Sequence, residues 1–273
     1  KVEAAFAGCA DDLSLMVRDG LYRLIGNVLF VADPHDSTRF HPRINALDTY
    51  AYKALPAVQR EAFGRLHEDY FYHRHDDFWR EEAMKKLPAL VATTNMLVCA
   101  EDLGMVPSCV APVMSELRML SLEIQAMPKA MGMEFGKLEE NPYLSVSTLF
   151  THDMPTLREW WEQDAVRAQS YYNHVLLHDG KAPQVLPGWL AEEIVARHIY
   201  CPSMLCLVSL QDWLSIDETL RYPHPAEERI NIPAISQHYW RYRMHLNIED
   251  LLKADSFNAR VAELVRRGDR KGM

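Results

Sequence analysis

The chain has 273 residues, with a hydrophobic fraction of 48%, a charged fraction of 25% and a formal charge of −9. That acidic balance repels phosphate backbones and argues against a nucleic-acid partner. No apolar run nears the roughly 20 residues needed to cross a bilayer, so no membrane partner is expected. Five cysteines, Cys9, Cys99, Cys109, Cys201 and Cys206, form no Cys-x-x-Cys pair. An odd count without that spacing disfavours a disulfide framework or a zinc site and points to a reducing cytoplasm.

Residues 1–20 read as helical, and Asn27–Ala32 (NVLFVA) reads as a strand that meets a turn at Asp33-Pro34. Residues 33–45 read as a loop. Residues 46–90 read as mostly helical, closing at the proline of MKKLPAL. His67, His73 and His75 fall there, but their spacing does not bring all three to one helix face, so a metal site is not expected.

The pattern then changes. Met96–Ala100, Leu120–Ile124, Leu144–Phe150 and Met204–Leu210 are compact apolar runs suited to strands buried on both faces. Helical stretches around 108–117, 155–178 and 190–198 separate them. Such alternation is the mark of a parallel sheet with crossover helices. The chemistry of such sheets gathers at the C-terminal ends of the strands. Polar residues stand just past every run: Glu101-Asp102, Gln125, His152-Asp153 and Gln211-Asp212. Four strands cannot close an eight-stranded barrel; either the remaining strands lie outside these residues, the reading favoured, or residues 1–95 supply less obvious ones.

Retaining glycosyl transfer uses two carboxyls about 5–5.5 Å apart, and a third acidic group stabilises the charge growing on the sugar; Glu101 and Asp153, at two predicted strand ends, are placed to face one shared pocket. The bland reading of each motif carries weight. EDLG fits a strand followed by a helix that Asp102 caps, and a His-Asp pair fits a local turn. Trp160 and Trp161 are adjacent on a helix, about 100° apart, so at most one can face a cleft. We expect at least one in the core. The terminal ELVRRGDRKGM reads as a solvated helix end and tail.

CAEDLGMVPSCV (99–110), STLFTHDMPTLREWWEQD (147–164), SLQDWL (209–214) and HYWRYRMHL (238–246) occur in this order along the chain. Together they resemble the signature blocks of the 4-α-glucanotransferase family of amylomaltases and disproportionating enzymes, glycoside hydrolase family 77. HPRI (41–44), FYHRHDDFWREEAMKKLPAL (71–90) and LSLEIQAMPK (120–129) resemble the branch that includes the plant cytosolic disproportionating enzyme and its bacterial relatives. The resemblance covers nearly the whole chain.

It implies an α/β fold, the C-terminal half of a (β/α)8 barrel with helical insertions. Residues 1–95 would be a helical insertion and linking region, and residues 96–273 the barrel part. It implies that Glu101 is the general acid/base, Asp153 the transition-state stabiliser and His152 a sugar ligand in the cleaved subsite. Asn231, in ERINIP, matches a loop near the donor glucose. Gln211 and Asp212 match the LQD element at the last strand, assigned as substrate-binding by position. The implied partner is a maltooligosaccharide or α-glucan, with no cofactor and no metal.

The family's nucleophile is the Asp of an Arg-x-Asp-His motif, which is absent here. The chain is therefore expected to be the C-terminal part of a longer enzyme, the alternative being a catalytically inactive carbohydrate-binding fragment. Ala126 is a smaller departure, where relatives often carry a basic residue before Met-Pro.

Overall fold

The computed structural model describes residues 1–270 except 105, 131, 236 and 239. The last three residues of the expected C-terminal tail thus lie outside the described residues. The chain forms two compact units, Lys1–Lys86 with Pro107–Cys109, and Leu87–Val106 with residues 110 onward. Among the described residues no helix is long and apolar enough to cross a membrane.

The first unit contains helix α1 (Asp12–Ile25), which Asp11 caps by accepting from the Ser14 N–H at 2.9 Å. Strands β1 (Phe30–Ala32) and β2 (Phe40–Pro42) pair antiparallel, with Val31 opposite His41. The second of these falls where a loop was expected. Pro42 is tolerated because it closes the end of a short ladder, where no donor is required of it. Helix α2 (Ala57–Tyr72) buries Phe63 and His67. Phe63 meets Phe30 edge-on at 5.2 Å, and His67 Nε2 pairs with the Ile44 carbonyl at 2.8 Å. His67 is thus a packed core histidine.

Helix α3 (Asp76–Ala92) leads out of this unit and does not stop at its proline. Pro88 lies inside it, so its ring has displaced the bond to the Met84 carbonyl without ending the helix.

The second unit is built on a parallel sheet. Helix α4 (Val110–Glu116) precedes strand β3 (Ser121–Ile124). Strand β4 (Ser145–Thr148) follows after a crossover whose described residues include a 3-10 turn at Leu138–Glu140. Helices α5 (Leu157–Gln163), α6 (Ala165–His174) and α7 (Gly188–Ile199) then return the chain to strand β5 (Leu205–Leu207). The sheet order is β3-β4-β5, with Ser121 opposite Ser145 and Val146 opposite Leu205. The run Met96–Ala100 contributes one parallel bridge, Cys99 to Leu120, on the free side of β3. The sequential order is therefore kept across four neighbouring positions.

Only the central strand is buried as expected. Ser145, Val146 and Ser147 are inaccessible, whereas Met96 is 76% exposed, Leu97 56% and Leu207 61%. A residue at an outer position of a sheet has a neighbour on one side only, so apolar composition alone does not bury it.

The core of this unit lies between the sheet and its helices. Helix α7 buries Leu190, Ala191, Ile194, Val195, His198 and Ile199, the four-residue spacing of a broad apolar stripe. Both tryptophans of α5 are buried. Trp160 packs among Phe150, Phe135 and Tyr171, and Trp161 Nε1 donates to the Pro183 carbonyl at 2.8 Å. Neither is left for a sugar. Leu210–Leu214 is the short helix α8, so Gln211 and Asp212 stand in a helical turn after β5. Helix α9 (Asp255–Arg267) adds Phe257 and Leu264, seven residues apart on one face.

Candidate active site

Beyond β4 the chain stays buried through Leu149 and Phe150 and then surfaces at Thr151, His152 and Asp153. The turn is local. The Met154 N–H donates to the Thr151 carbonyl at 3.0 Å, and the Asp153 N–H reaches the Thr151 hydroxyl at 3.4 Å. Thr156 then caps α5. The His-Asp pair is therefore a hydrogen-bonded turn, and its side chains are also half exposed. His152 Nε2 lies 3.5 Å from Asp153 Oδ2.

Asp153 has a second, distant partner. Asn231 Nδ2 donates to Asp153 Oδ1 at 2.5 Å, across 78 residues of sequence. Trp240 lies 4.9 Å from the His152 ring, centroid to centroid, at a tilt of 45°. It is an exposed aromatic face beside an exposed imidazole.

Below this turn lies a hollow of about 50 Å³, lined by Phe150, His152, Thr156, Gln211, Asp212 and Ile230 among others. Gln211 and Asp212 are also held from behind. Gln211 Nε2 donates to the Glu228 carbonyl at 3.2 Å. Asp212 Oδ1 accepts from the Leu157 N–H at 2.8 Å, at the amino end of α5 where backbone donors are unpaired. Burial pushes the Asp212 carboxyl up to about 6, and the Leu157 amide and Ser209 hydroxyl offset only part of that. Burial likewise raises Glu228, against the opposing pull of Arg158.

Glu101 follows the Cys99–Leu120 bridge by two residues and is exposed. It stands two residues past the position that bridges to this sheet and does not line this hollow. Two strand positions separate its segment from β4, about 10 Å between axes at the usual spacing.

Its neighbour Asp102 does not cap a helix, since the next helix begins only at Val110. Asp102 Oδ1 accepts from the Leu122 N–H at 2.8 Å, and Oδ2 meets Lys129 Nζ at 2.7 Å. The same ammonium meets Glu123 at 2.8 Å. A short carboxylate with a strand amide and an ammonium in reach has stronger partners than a helix end some residues away. Ala126 is buried, and its carbonyl accepts from Arg167 Nη2 at 2.5 Å.

The structure thus gathers His152, Asp153, Asn231, Gln211 and Asp212 at one end of β4 and β5. Sequence reasoning missed Trp240, Arg158 and Glu228 there. Trp240 lies inside the block HYWRYRMHL and was within reach of that signal. Arg158 and Glu228 also lie inside quoted blocks, STLFTHDMPTLREWWEQD and ERINIP, but nothing local signals that they pair, because the pairing spans 70 residues. Among the described residues no group of three or more His, Cys, Asp or Glu side chains is placed to hold a metal ion.

Comparison with known proteins places the chain among relatives. The glycoside hydrolase family 77 model, described as 4-alpha-glucanotransferase, matches residues 47–248. The chain is 39% identical over 249 residues to the 4-alpha-glucanotransferase DPE2 of Oryza sativa subsp. japonica, covering 91% of this chain and 26% of that protein. It is 28% identical over 181 residues to a 4-alpha-glucanotransferase of Chlamydia caviae, covering 65% of this chain and 34% of the relative. Among solved structures, an amylomaltase from Streptococcus agalactiae in complex with acarbose aligns at a TM-score of 0.52 and 19% identity. That match covers 68% of this chain and 35% of the other, and it bears on the fold alone. The chain spans between about a quarter and about a third of the length of these relatives.

Proposed function

This chain belongs to the 4-alpha-glucanotransferase family, glycoside hydrolase family 77, and from that premise we propose that it supplies part of the active site of a retaining transferase acting on α-1,4-glucans. In this reading the bridge segment at Cys99, β3, β4 and β5 are four consecutive strands of a (β/α)8 barrel. Residues 96–273 form its C-terminal part, and residues 1–95 form a helical insertion and linking region. The remaining strands and the nucleophilic Asp come from a part of the protein outside these residues.

Glu101 protonates the departing sugar oxygen and then deprotonates the acceptor hydroxyl. Asp153 binds sugar hydroxyls and stabilises positive charge on the ring in the transition state. His152 and Asn231 border the same sugar, and Gln211 and Asp212 form the floor beneath it. The substrate is a maltooligosaccharide or longer α-glucan. The chemistry is done by carboxyl groups and calls for no cofactor. Five free thiols fit a reducing, cytoplasmic setting.

The observation that carries this reading is the Asn231–Asp153 bond beside a hollow at the carboxyl end of a parallel strand. Strand ends of this kind are where barrel enzymes assemble side chains from distant loops. The test is Glu101→Gln in the full-length protein with maltotriose as donor and acceptor. Loss of an acid/base group costs about 10²- to 10⁴-fold in rate, while maltotriose binding measured by calorimetry persists. Undiminished product formation would overturn the assignment.

A further inference from the structure

Glu228 and Arg158 are the buried charges of this region that the mechanism does not use. Their side chains are 2% and 3% exposed, and Glu228 Oε1 meets Arg158 Nη1 at 2.9 Å. The other carboxylate oxygen accepts from the Thr156 hydroxyl at 3.2 Å. Arg158 Nη1 also donates to the Tyr222 carbonyl at 2.6 Å. One residue further along each segment, Arg229 Nη1 meets Glu159 Oε1 at 3.3 Å. Arg229 then turns its Nε to the Asn231 carbonyl at 3.0 Å.

These bonds join two short segments, 156–159 and 228–229. The first begins three residues after Asp153, and the second ends two residues before Asn231. The segments are thus fastened to each other immediately beside the Asn231–Asp153 contact. Over three residues the chain reaches at most about 10 Å, so the fastening limits how far either partner can stray.

Stability is a poor reason for such a pair. Taking two charges out of water costs several kcal/mol per ion, and a well-packed apolar pair often does as well. What an ion pair with added hydrogen bonds provides is a defined geometry. Resting on the functional reading above, we infer that Glu228 is a positioning residue that holds the Asn231 loop against the His152–Asp153 turn and so sets the Asn231–Asp153 contact.

The experiment is a double-mutant cycle in the full-length protein, using maltotriose disproportionation. Glu228→Gln keeps the shape and removes the charge. It is expected to lower kcat by about tenfold, within the range of coupled neighbours, while KM moves by less than about threefold. In an Asn231→Ala background the same substitution is expected to cost less than about twofold, because the contact it serves is already gone.

Equal losses in both backgrounds would show that Glu228 acts on folding or elsewhere, and would overturn the inference. A loss explained entirely by a smaller folded fraction, read by circular dichroism, would overturn it too. Should Glu228→Gln fail to fold, Thr156→Val removes one arm along with the cap on α5 and leaves the ion pair; the cap's cost falls equally on both backgrounds and drops out of the cycle. Its loss of kcat is then expected to vanish in the Asn231→Ala background, and additivity again refutes the idea. If Asn231→Ala and Asp153→Asn both leave transfer intact, the site reading itself falls. If they lower transfer and Glu228→Gln does not, only the positioning role falls.

Discussion

Replacing Asp212 by Asn should change how stability depends on pH, and in a direction the structure sets. The Asp212 carboxyl is buried and stands at about 6, against an ordinary value of 3.8. Between those values the folded chain holds the proton more tightly than the unfolded one. Stability therefore falls as pH rises through that window, and above about 6 the full cost is present. At about 1.4 kcal/mol per pH unit, the cost is about 3 kcal/mol.

His198 works in the opposite sense. It is buried in α7, Nδ1 meets the Ile194 carbonyl at 2.9 Å, and burial pushes it down to about 4 from 6.5. Its contribution is present above 6.5 and is lost as pH falls toward 4, again about 3 kcal/mol. In the native chain the two slopes largely cancel between about pH 4 and 6.

Asp212→Asn removes one of them. An Asn oxygen can still accept from the Leu157 amide, and the Ser209 hydroxyl can meet the new NH₂ group. The variant should therefore match the native protein near pH 4 and exceed it by up to about 3 kcal/mol at pH 7. Urea unfolding followed by tryptophan fluorescence reads this directly, since Trp160 and Trp161 lie in the same core as α7. A difference between the two proteins that stays constant from pH 4 to 7.5 would refute the reasoning.

Other substitutions probe the packing. Gly188→Ala would put a Cβ 2.7 Å from the Ile216 carbonyl oxygen, which is backbone and cannot swing aside. A loss of about 1–3 kcal/mol is expected from thermal melts. Gly64→Ala is the matched contrast: it lies inside α2, nothing comes closer than 3.8 Å, and the change should stabilise by about 0.5–1 kcal/mol. Leu190→Ala deletes a fully buried side chain and should cost about 2–5 kcal/mol in urea titrations. The thiols should separate by rate with a chromogenic disulfide at pH 8. Cys9 and Cys99 are exposed and should react first, while the Cys206 thiol, pushed up to about 12 by burial, should wait for unfolding.

The sequence alone determined the parallel core of the second unit, because short β-rich apolar runs bounded by turns leave little choice of element. The runs at 120–124 and 144–150 trimmed to Ser121–Ile124 and Ser145–Thr148. It also placed polar residues at the ends of those runs, and by resemblance it identified the family that the comparisons report. Local rules misled at two places. Pro88 sits within a helix, and Asp102 gives its carboxylate to Lys129 and the Leu122 amide in place of a helix end.

What only the tertiary structure decided is which polar residues meet. Asp153 with Asn231, Arg158 with Glu228 and Asp212 with the Leu157 amide are joined across 78, 70 and 55 residues. Helical and strand periodicity reports which face of an element is apolar, a property of near neighbours. A contact between two loops has no period. It exists only after the sheet and its helices have packed and carried the loops to one end of the strands.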